Sequence, residues 1–319
     1  MKLIFKKLSY LFVMLFIISL ISFLAINLAP NSFFASGELN PNITKESIEH
    51  LKEVYGLDKP LYLQFISWII NIFQLDFGIS FTTGAQVKDE ILGRMPITLT
   101  INFISMFFIF VISLYLGIKA ALNKGSVFDR CVEQLSLLSF SLPSFYLALL
   151  GILFFAVNWD ILPISGLHNS DIPVGSFEYY VDTAWHLILP ISIIIFGGIG
   201  SLILYIKSLT LEILKSDYIF FAKARGLSNK EILRFYILPN LYPPVITLLG
   251  LSLPGIIGGS VILETVFSID GMGLLFFQSA LSRDYPIIMG ILIIGAFLTL
   301  LGNIIADLIL IKLNPSMKK

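Results

Sequence analysis

Thr183-Ala-Trp-His-Leu-Ile-Leu-Pro190-Ile-Ser-Ile-Ile-Ile-Phe-Gly-Gly-Ile-Gly200-Ser-Leu-Ile-Leu-Tyr-Ile206 contains no Asp, Glu, Lys or Arg, and Lys207 ends it. A helix needs about 20 apolar residues to cross the hydrocarbon core of a bilayer, and this stretch suffices. Five others match it: Leu8–Gly37, Met95–Ile118, Gln134–Trp159, Phe235–Leu263 and Tyr285–Ala306. None alternates with period two, which disfavours a membrane barrel. Composition agrees. Of the 319 residues 56% are hydrophobic and 13% charged, where a soluble domain carries roughly a quarter charged. The reading is an all-α integral membrane protein with six transmembrane helices. Lys2, Lys6 and Lys7 give the first stretch the look of a signal peptide. Its apolar core, Leu8–Leu28, is longer than the usual signal core, so it reads as a retained helix.

The basic residues orient the chain. With the amino terminus inside, most of the 21 Lys and Arg fall on inner segments, among them Lys119, Lys124, Arg130, Lys207, Lys223, Arg225 and Lys312. The connection from Asn158 to His186 has acidic residues and no Lys or Arg. Both termini are therefore expected in the cytoplasm. Lys+Arg and Asp+Glu balance at 21 each, leaving no basic field for nucleic acid. Residues 38–94 form a long outer segment, with a helix expected over Thr44–Tyr55 and a second, interfacial one over Leu61–Phe73. Cys131, the single cysteine, excludes an intrachain disulfide and reads as a small apolar filler. His50, His168 and His186 are too scattered to suggest a metal site, and His168 and His186 are expected at the outer surface.

The most informative connection joins the fourth and fifth spans. It reads Asp217-Tyr-Ile-Phe-Phe-Ala222-Lys-Ala-Arg225-Gly226-Leu-Ser228-Asn-Lys-Glu231, then Leu238-Pro239. Tyr218–Arg225 is built of helix formers and stops at Gly226, suited to the left-handed C′ position. Ser228 and Glu231 form an S-x-x-E capping box that starts a second helix. Pro239, Pro243 and Pro244 limit where the fifth span begins. The spacing predicts a helix–glycine–helix elbow rather than a slack, merely basic loop.

These residues resemble the "EAA" loop of ABC importer permeases, E-A-A-x3-G-x9-I-x-L-P. Ala222, Gly226, Leu238 and Pro239 fall on the second Ala, the Gly, the Leu and the Pro. Phe220, Phe221 and Tyr236 depart from the Glu, the first Ala and the Ile. The dipeptide/oligopeptide/nickel branch uses a D-Y-x-x-x-A-x-A-x-G-L-S form, and Asp217, Tyr218, Ala222, Ala224, Gly226, Leu227 and Ser228 resemble it. The resemblance covers nearly the whole chain. Tyr55-Gly-Leu-Asp-Lys-Pro60, Asp76-Phe-Gly-Ile-Ser80, Arg94-Met-Pro96-Ile-Thr-Leu99, Ser141-Leu-Pro-Ser-Phe145, Gly271-Met-Gly273 and Arg283-Asp-Tyr-Pro286 occur in the branch's order. The long outer segment is similar to that of its "B"-type subunit.

The resemblance implies a type I ABC importer permease fold. Residues 1–94 would hold the first helix and outer segment, and 95–312 a five-helix core carrying the coupling loop 207–239. Residues 313–319 would be a cytoplasmic tail. It implies a multi-pass protein of the bacterial cytoplasmic membrane with no catalysis of its own. ATP and Mg would be bound by partner subunits. The expected partners are a homologous permease forming a heterodimer, two ATPase subunits, an extracytoplasmic solute-binding protein and the lipid bilayer. Asp217, Tyr218, Ala222, Ala224, Arg225, Gly226, Leu227, Ser228, Leu238 and Pro239 would form the ATPase-coupling loop, with Ala222 and Ala224 allowing close approach. The chain lacks a G-x4-G-K-[ST] phosphate loop and an H-E-x-x-H motif, so neither ATP chemistry nor a metal site is expected in it. Gly255 and Gly259 make a G-x-x-x-G packing step. Glu264 and Asp307 lie near helix ends, close to water. Peptide is the first-choice cargo, with nickel or a metallophore complex second. An ion-coupled secondary transporter is the competing class, disfavoured by the scarcity of mid-span charge. No G-x-S-x-G or paired-Asp motif supports an intramembrane enzyme.

Overall fold

The computed structural model describes residues 2–28, 59–258 and 261–313. Among these, the backbone is helical apart from connections and one isolated bridge between Ile79 and Gln86. The helices are α1 (Lys2–Leu28), α2 (Leu61–Phe73), α3 (Val87–Leu122), α4 (Val127–Ser141), α5 (Ser144–Gly151) and α6 (Phe177–Leu214). They continue with α7 (Asp217–Ala224), α8 (Asn229–Ile232), α9 (Leu238–Gly258), α10 (Val261–Val266), α11 (Met272–Ser282) and α12 (Tyr285–Leu313). Four are long and apolar enough to cross a membrane: Val87–Leu122, Phe177–Leu214, Asn229–Ser252 and Tyr285–Ile305. A bent pair makes up to five. The helix expected over Thr44–Tyr55 and the end of the first span lie outside the described residues.

The bent pair corrects one expectation. Gln134–Trp159 is not one straight span. Val127–Ser141 and Ser144–Asn158 meet at 103°. Pro143 has no N–H to donate, and its ring drives the preceding residue out of the helical region. Leu142 accordingly sits at φ −91°, ψ 130°. After the break, Ile152–Asn158 winds as a π-helix. Pro239, Pro243 and Pro244, by contrast, break nothing. A π-helical turn, Leu233–Ile237, widens the spiral just before Pro239, and α9 runs on to Gly258.

The chain divides into two compact units. The first comprises residues 1–98 and 270–301. In it Phe23 meets Phe65 and Trp68, with ring centroids 5.3 and 6.0 Å apart, so α2 packs on α1. At 13 residues, α2 is about 20 Å long, too short to span. Val87, Ile91, Met272, Leu275 and Ile287 form its apolar core. Motifs far apart in sequence meet here. Asp284 is 2% exposed. Its carboxylate accepts the Ser80 hydroxyl and the backbone N–H groups of Phe81 and Thr82, both at 3.1 Å. Arg94 pairs with Glu90 and, at 2.6 Å, with Asp270, while the Met272 N–H donates to Thr98 Oγ1 at 2.8 Å. Asp284→Ala is expected to weaken the hold on residues 76–86 by about 1–3 kcal/mol, because three donors lose a charged acceptor. Limited proteolysis within 76–86 should speed up roughly tenfold in this variant; an unchanged cleavage rate would count against the anchoring role.

The second unit comprises residues 99–269 and 302–319. One apolar core among its described residues joins Phe110, Ile118, Ile206, Ile219, Ala222, Ile232, Ile237, Leu241 and Val245. Close helix approach rests on glycines. A Cβ on Gly200 would strike the Ser136 carbonyl and lie 2.8 Å from Ser139 Oγ, and one on Gly117 would lie 2.8 Å from Ile206 Cγ2. These positions seat α4 and α3 against α6.

Candidate functional site

The elbow forms as the local rules require. Helix α7 ends with Arg225 as C-cap, and Gly226 takes φ +81°. The Leu227 N–H donates to the Ala222 carbonyl at 3.3 Å, and the Gly226 N–H to that of Lys223 at 2.9 Å. That 6→1 and 5→2 pair is a Schellman motif. Beyond it, the Glu231 carboxylate accepts the Ser228 N–H at 2.8 Å while Ser228 Oγ accepts the Glu231 N–H at 3.4 Å. Glu231 thus closes the capping box. The ring of Tyr218 stacks on Tyr236, centroids 6.4 Å apart and planes 15° from parallel. The departure from Ile at position 236 therefore supplies the second half of a stacked pair.

Burial divides the elbow into two faces. Ile219 and Ala222 are 1% and 2% exposed and belong to the core with Ile206, Ile232 and Ile237. Leu227, Tyr236 and Leu238 pack against the same core. The small side chain of Ala222 lets α7 sit close to its own bundle, while Ala224 lies on the exposed face. Asp217, Tyr218, Phe220, Phe221, Lys223, Ala224, Arg225, Gly226, Ser228 and Pro239 are exposed. Phe220 and Phe221, which replace the Glu and Ala of the wider pattern, meet edge to face at 5.8 Å. Their exposures are 69% and 63%.

A partly buried charge cluster joins α6 to α4, ten residues upstream of Asp217. Lys207 Nζ lies 2.6 Å from Asp129 Oδ1 and 2.8 Å from Glu133 Oε2. The other oxygen of Asp129 accepts the Gly125 N–H at 2.9 Å. Lys207 and Asp129 are 9% and 5% exposed. Sequence reading took Lys207 as a loop cation. The signal available was a lysine directly closing an apolar stretch, but its partners lie on another helix.

Gly255 lies in α9, while Gly259 lies outside the described residues; Gly117, Gly198, Gly200 and Gly290 are among the described positions where a side chain would collide with a neighbouring helix. Glu264 is buried rather than near water, and His186, expected at the surface, is buried with Nδ1 2.8 Å from the Asp182 carbonyl. Cys131 is exposed, not a filler. Among the described residues, no three His, Cys, Asp or Glu gather in a cluster suited to a metal.

Residues 113–319 match the family described as "Binding-protein-dependent transport system inner membrane component", and residues 1–102 match its N-terminal companion, "Binding-prot-dependent transport system membrane comp, N-term". The chain belongs to this family of inner-membrane transport components. Among curated relatives, this family member is 34% identical to the "Oligopeptide transport system permease protein AppB" of Bacillus subtilis, over 93% of each chain. It is 29% identical to the "Metal-staphylopine import system permease protein CntB" of Staphylococcus aureus, over 100% of this chain and 98% of that one. Among solved structures, the inward-facing MetNI methionine ABC transporter superposes with a TM-score of 0.53 at 20% identity. The match covers 70% of this chain and 96% of that one, and shows a shared permease fold. The resemblance read from the elbow and the ordered motifs thus holds. The family is a multi-pass component of the bacterial inner membrane, a permease part rather than a catalytic one.

Proposed function

We propose that this permease forms half of the pathway of an ATP-driven importer for short peptides. It crosses the membrane six times, with both termini and the elbow in the cytoplasm. A homologous permease completes the pathway, an extracytoplasmic binding protein delivers the solute, and two ATPase subunits bind the ATP and Mg. The observation that carries this reading is the two-faced elbow. A helix capped at both ends of its turn is a rigid body, and rigid elements transmit displacement where slack loops absorb it. Its inner face is locked by Ile219 and Ala222, while Tyr218, Phe220, Phe221, Lys223 and Arg225 face outward. Paired aromatics flanked by cations suit an apolar cleft with an acidic rim. Closure of two such ATPases would move the elbow, and with it α6 and α9.

Peptide cargo is supported by the oligopeptide relative's higher identity. The staphylococcal relative motivates a metal–metallophore complex as the second reading. The test is purification of the permease co-expressed with its candidate ATPases and binding protein, followed by uptake into proteoliposomes. ATP-dependent entry of a labelled dipeptide is the expected result. Uptake by this chain alone, driven by an ion gradient, would replace the importer reading with a secondary transporter.

A further inference from the structure

A cleft of about 570 Å³ opens in the second unit between α3, α6 and α9, midway along each helix. Its wall includes Asn102, Ser105, Ser201, Tyr205 and Ser252 among isoleucine, leucine, methionine and phenylalanine side chains. The lining contains no Asp, Glu, Lys, Arg or His. A Cβ on Gly198 would come within 2.5 Å of Ile109 Cδ1, so α3 and α6 pass close together at that position.

Hydroxyl and amide groups at mid-span are costly against lipid unless a partner satisfies them. Ser252 donates to the Leu248 carbonyl at 2.8 Å and keeps its lone pairs. Ser105 is 1% exposed and its Oγ has no hydrogen-bond partner. A lipid tail filling the cleft would leave the Ser105 hydroxyl unanswered. Serine hydroxyls and the asparagine carboxamide both donate and accept, and so does every peptide unit of a main chain. A staggered rotation about χ1 redirects the Ser105 hydroxyl without moving the helix. The volume falls within the range of small-ligand pockets.

We propose that this cleft is a peptide-backbone subsite: it reads main-chain N–H and C=O groups and is indifferent to side-chain charge. The assignment rests on the peptide-importer reading above.

The test uses the complete transporter in proteoliposomes with radiolabelled trialanine as the probe. Ser105→Ala removes a hydroxyl that bonds to nothing in the protein, so a merely structural role predicts unchanged uptake and an unchanged or raised thermal midpoint. The subsite predicts uptake reduced about tenfold with the midpoint retained. A second variant is independent of transport. In a Cys131→Ser background, which has no other thiol, Ser201→Cys should react with a water-soluble methanethiosulfonate reagent. Excess trialanine should slow that reaction several-fold. Normal uptake through Ser105→Ala, or labelling of Ser201→Cys that is absent or unaffected by trialanine, overturns the subsite. Protection of the thiol by trialanine in a wild-type-like assembly that takes up no peptide would sink the importer reading and leave the subsite standing.

Discussion

Replacing Lys207 with methionine is expected to destabilise the protein by roughly 3–5 kcal/mol, since it leaves Asp129 buried without its cation. The removed side chain is of similar length and apolar stem, so packing changes little and the uncompensated carboxylate dominates. The Gly125 N–H still reaches Asp129, but one neutral donor offsets only about 1 kcal/mol of that penalty. Glu133, which is more exposed at 48% of its side chain, can turn to water. Thermal scanning in detergent should therefore show a large fall in midpoint for Lys207→Met. The double variant Lys207→Met/Asp129→Leu should recover most of it, because removing both charges also removes their desolvation cost. A single variant as stable as wild type would mean that Asp129 is solvated in the assembled protein.

Gly226→Val acts through conformation rather than space. Nothing lies within 4 Å of a Cβ built at Gly226, yet its φ is +81°. An L-residue pays about 1–2 kcal/mol to enter the left-handed region, and a β-branched one is a genuine outlier there. The chain relieves that strain by leaving the Schellman geometry, which breaks the Leu227–Ala222 and Gly226–Lys223 bonds and swings α7 away from α8. Membrane insertion and most of the fold should survive. Transport should fall by more than about tenfold, with ATPase subunits lost on purification, if the elbow is gripped as proposed. Gly226→Asn should retain far more activity, because asparagine tolerates the left-handed region. Uptake at the wild-type rate by the valine variant would remove the elbow from the coupling path.

The contrast between these two sites marks what the sequence can and cannot convey. Gly226, Ser228 and Glu231 act on their own neighbours within a turn of helix, so their spacing alone predicted the turn and the capping box. Long apolar stretches likewise declare themselves, since their solvent is decided residue by residue. Lys207 and Asp129 are joined across 78 positions (207 − 129), and Ser80 and Asp284 across 204; no local pattern encodes such pairings. The strings around Ser80, Arg94, Gly271 and Asp284 are each visible in the sequence, but their pairing, Ser80 with Asp284 and Arg94 with Asp270, is a property of the fold. Ala222 is ambiguous in sequence for a related reason. A small residue at a close approach looks the same in sequence whichever partner it approaches. Pro143 marks the break in the sequence itself, but hydropathy, which sees only apolarity, runs straight through it.

The outward face of α7 has a consequence for biogenesis. Tyr218, Phe220 and Phe221, with Phe235 nearby in sequence, are 40%, 69%, 63% and 61% exposed. If partner subunits cover the elbow as proposed, a copy synthesised ahead of them carries these aromatic rings uncovered, and uncovered aromatics are what chaperones and membrane proteases sense. Subunit supply would then be matched by disposal: surplus copies are cleared, and only those covered in time persist.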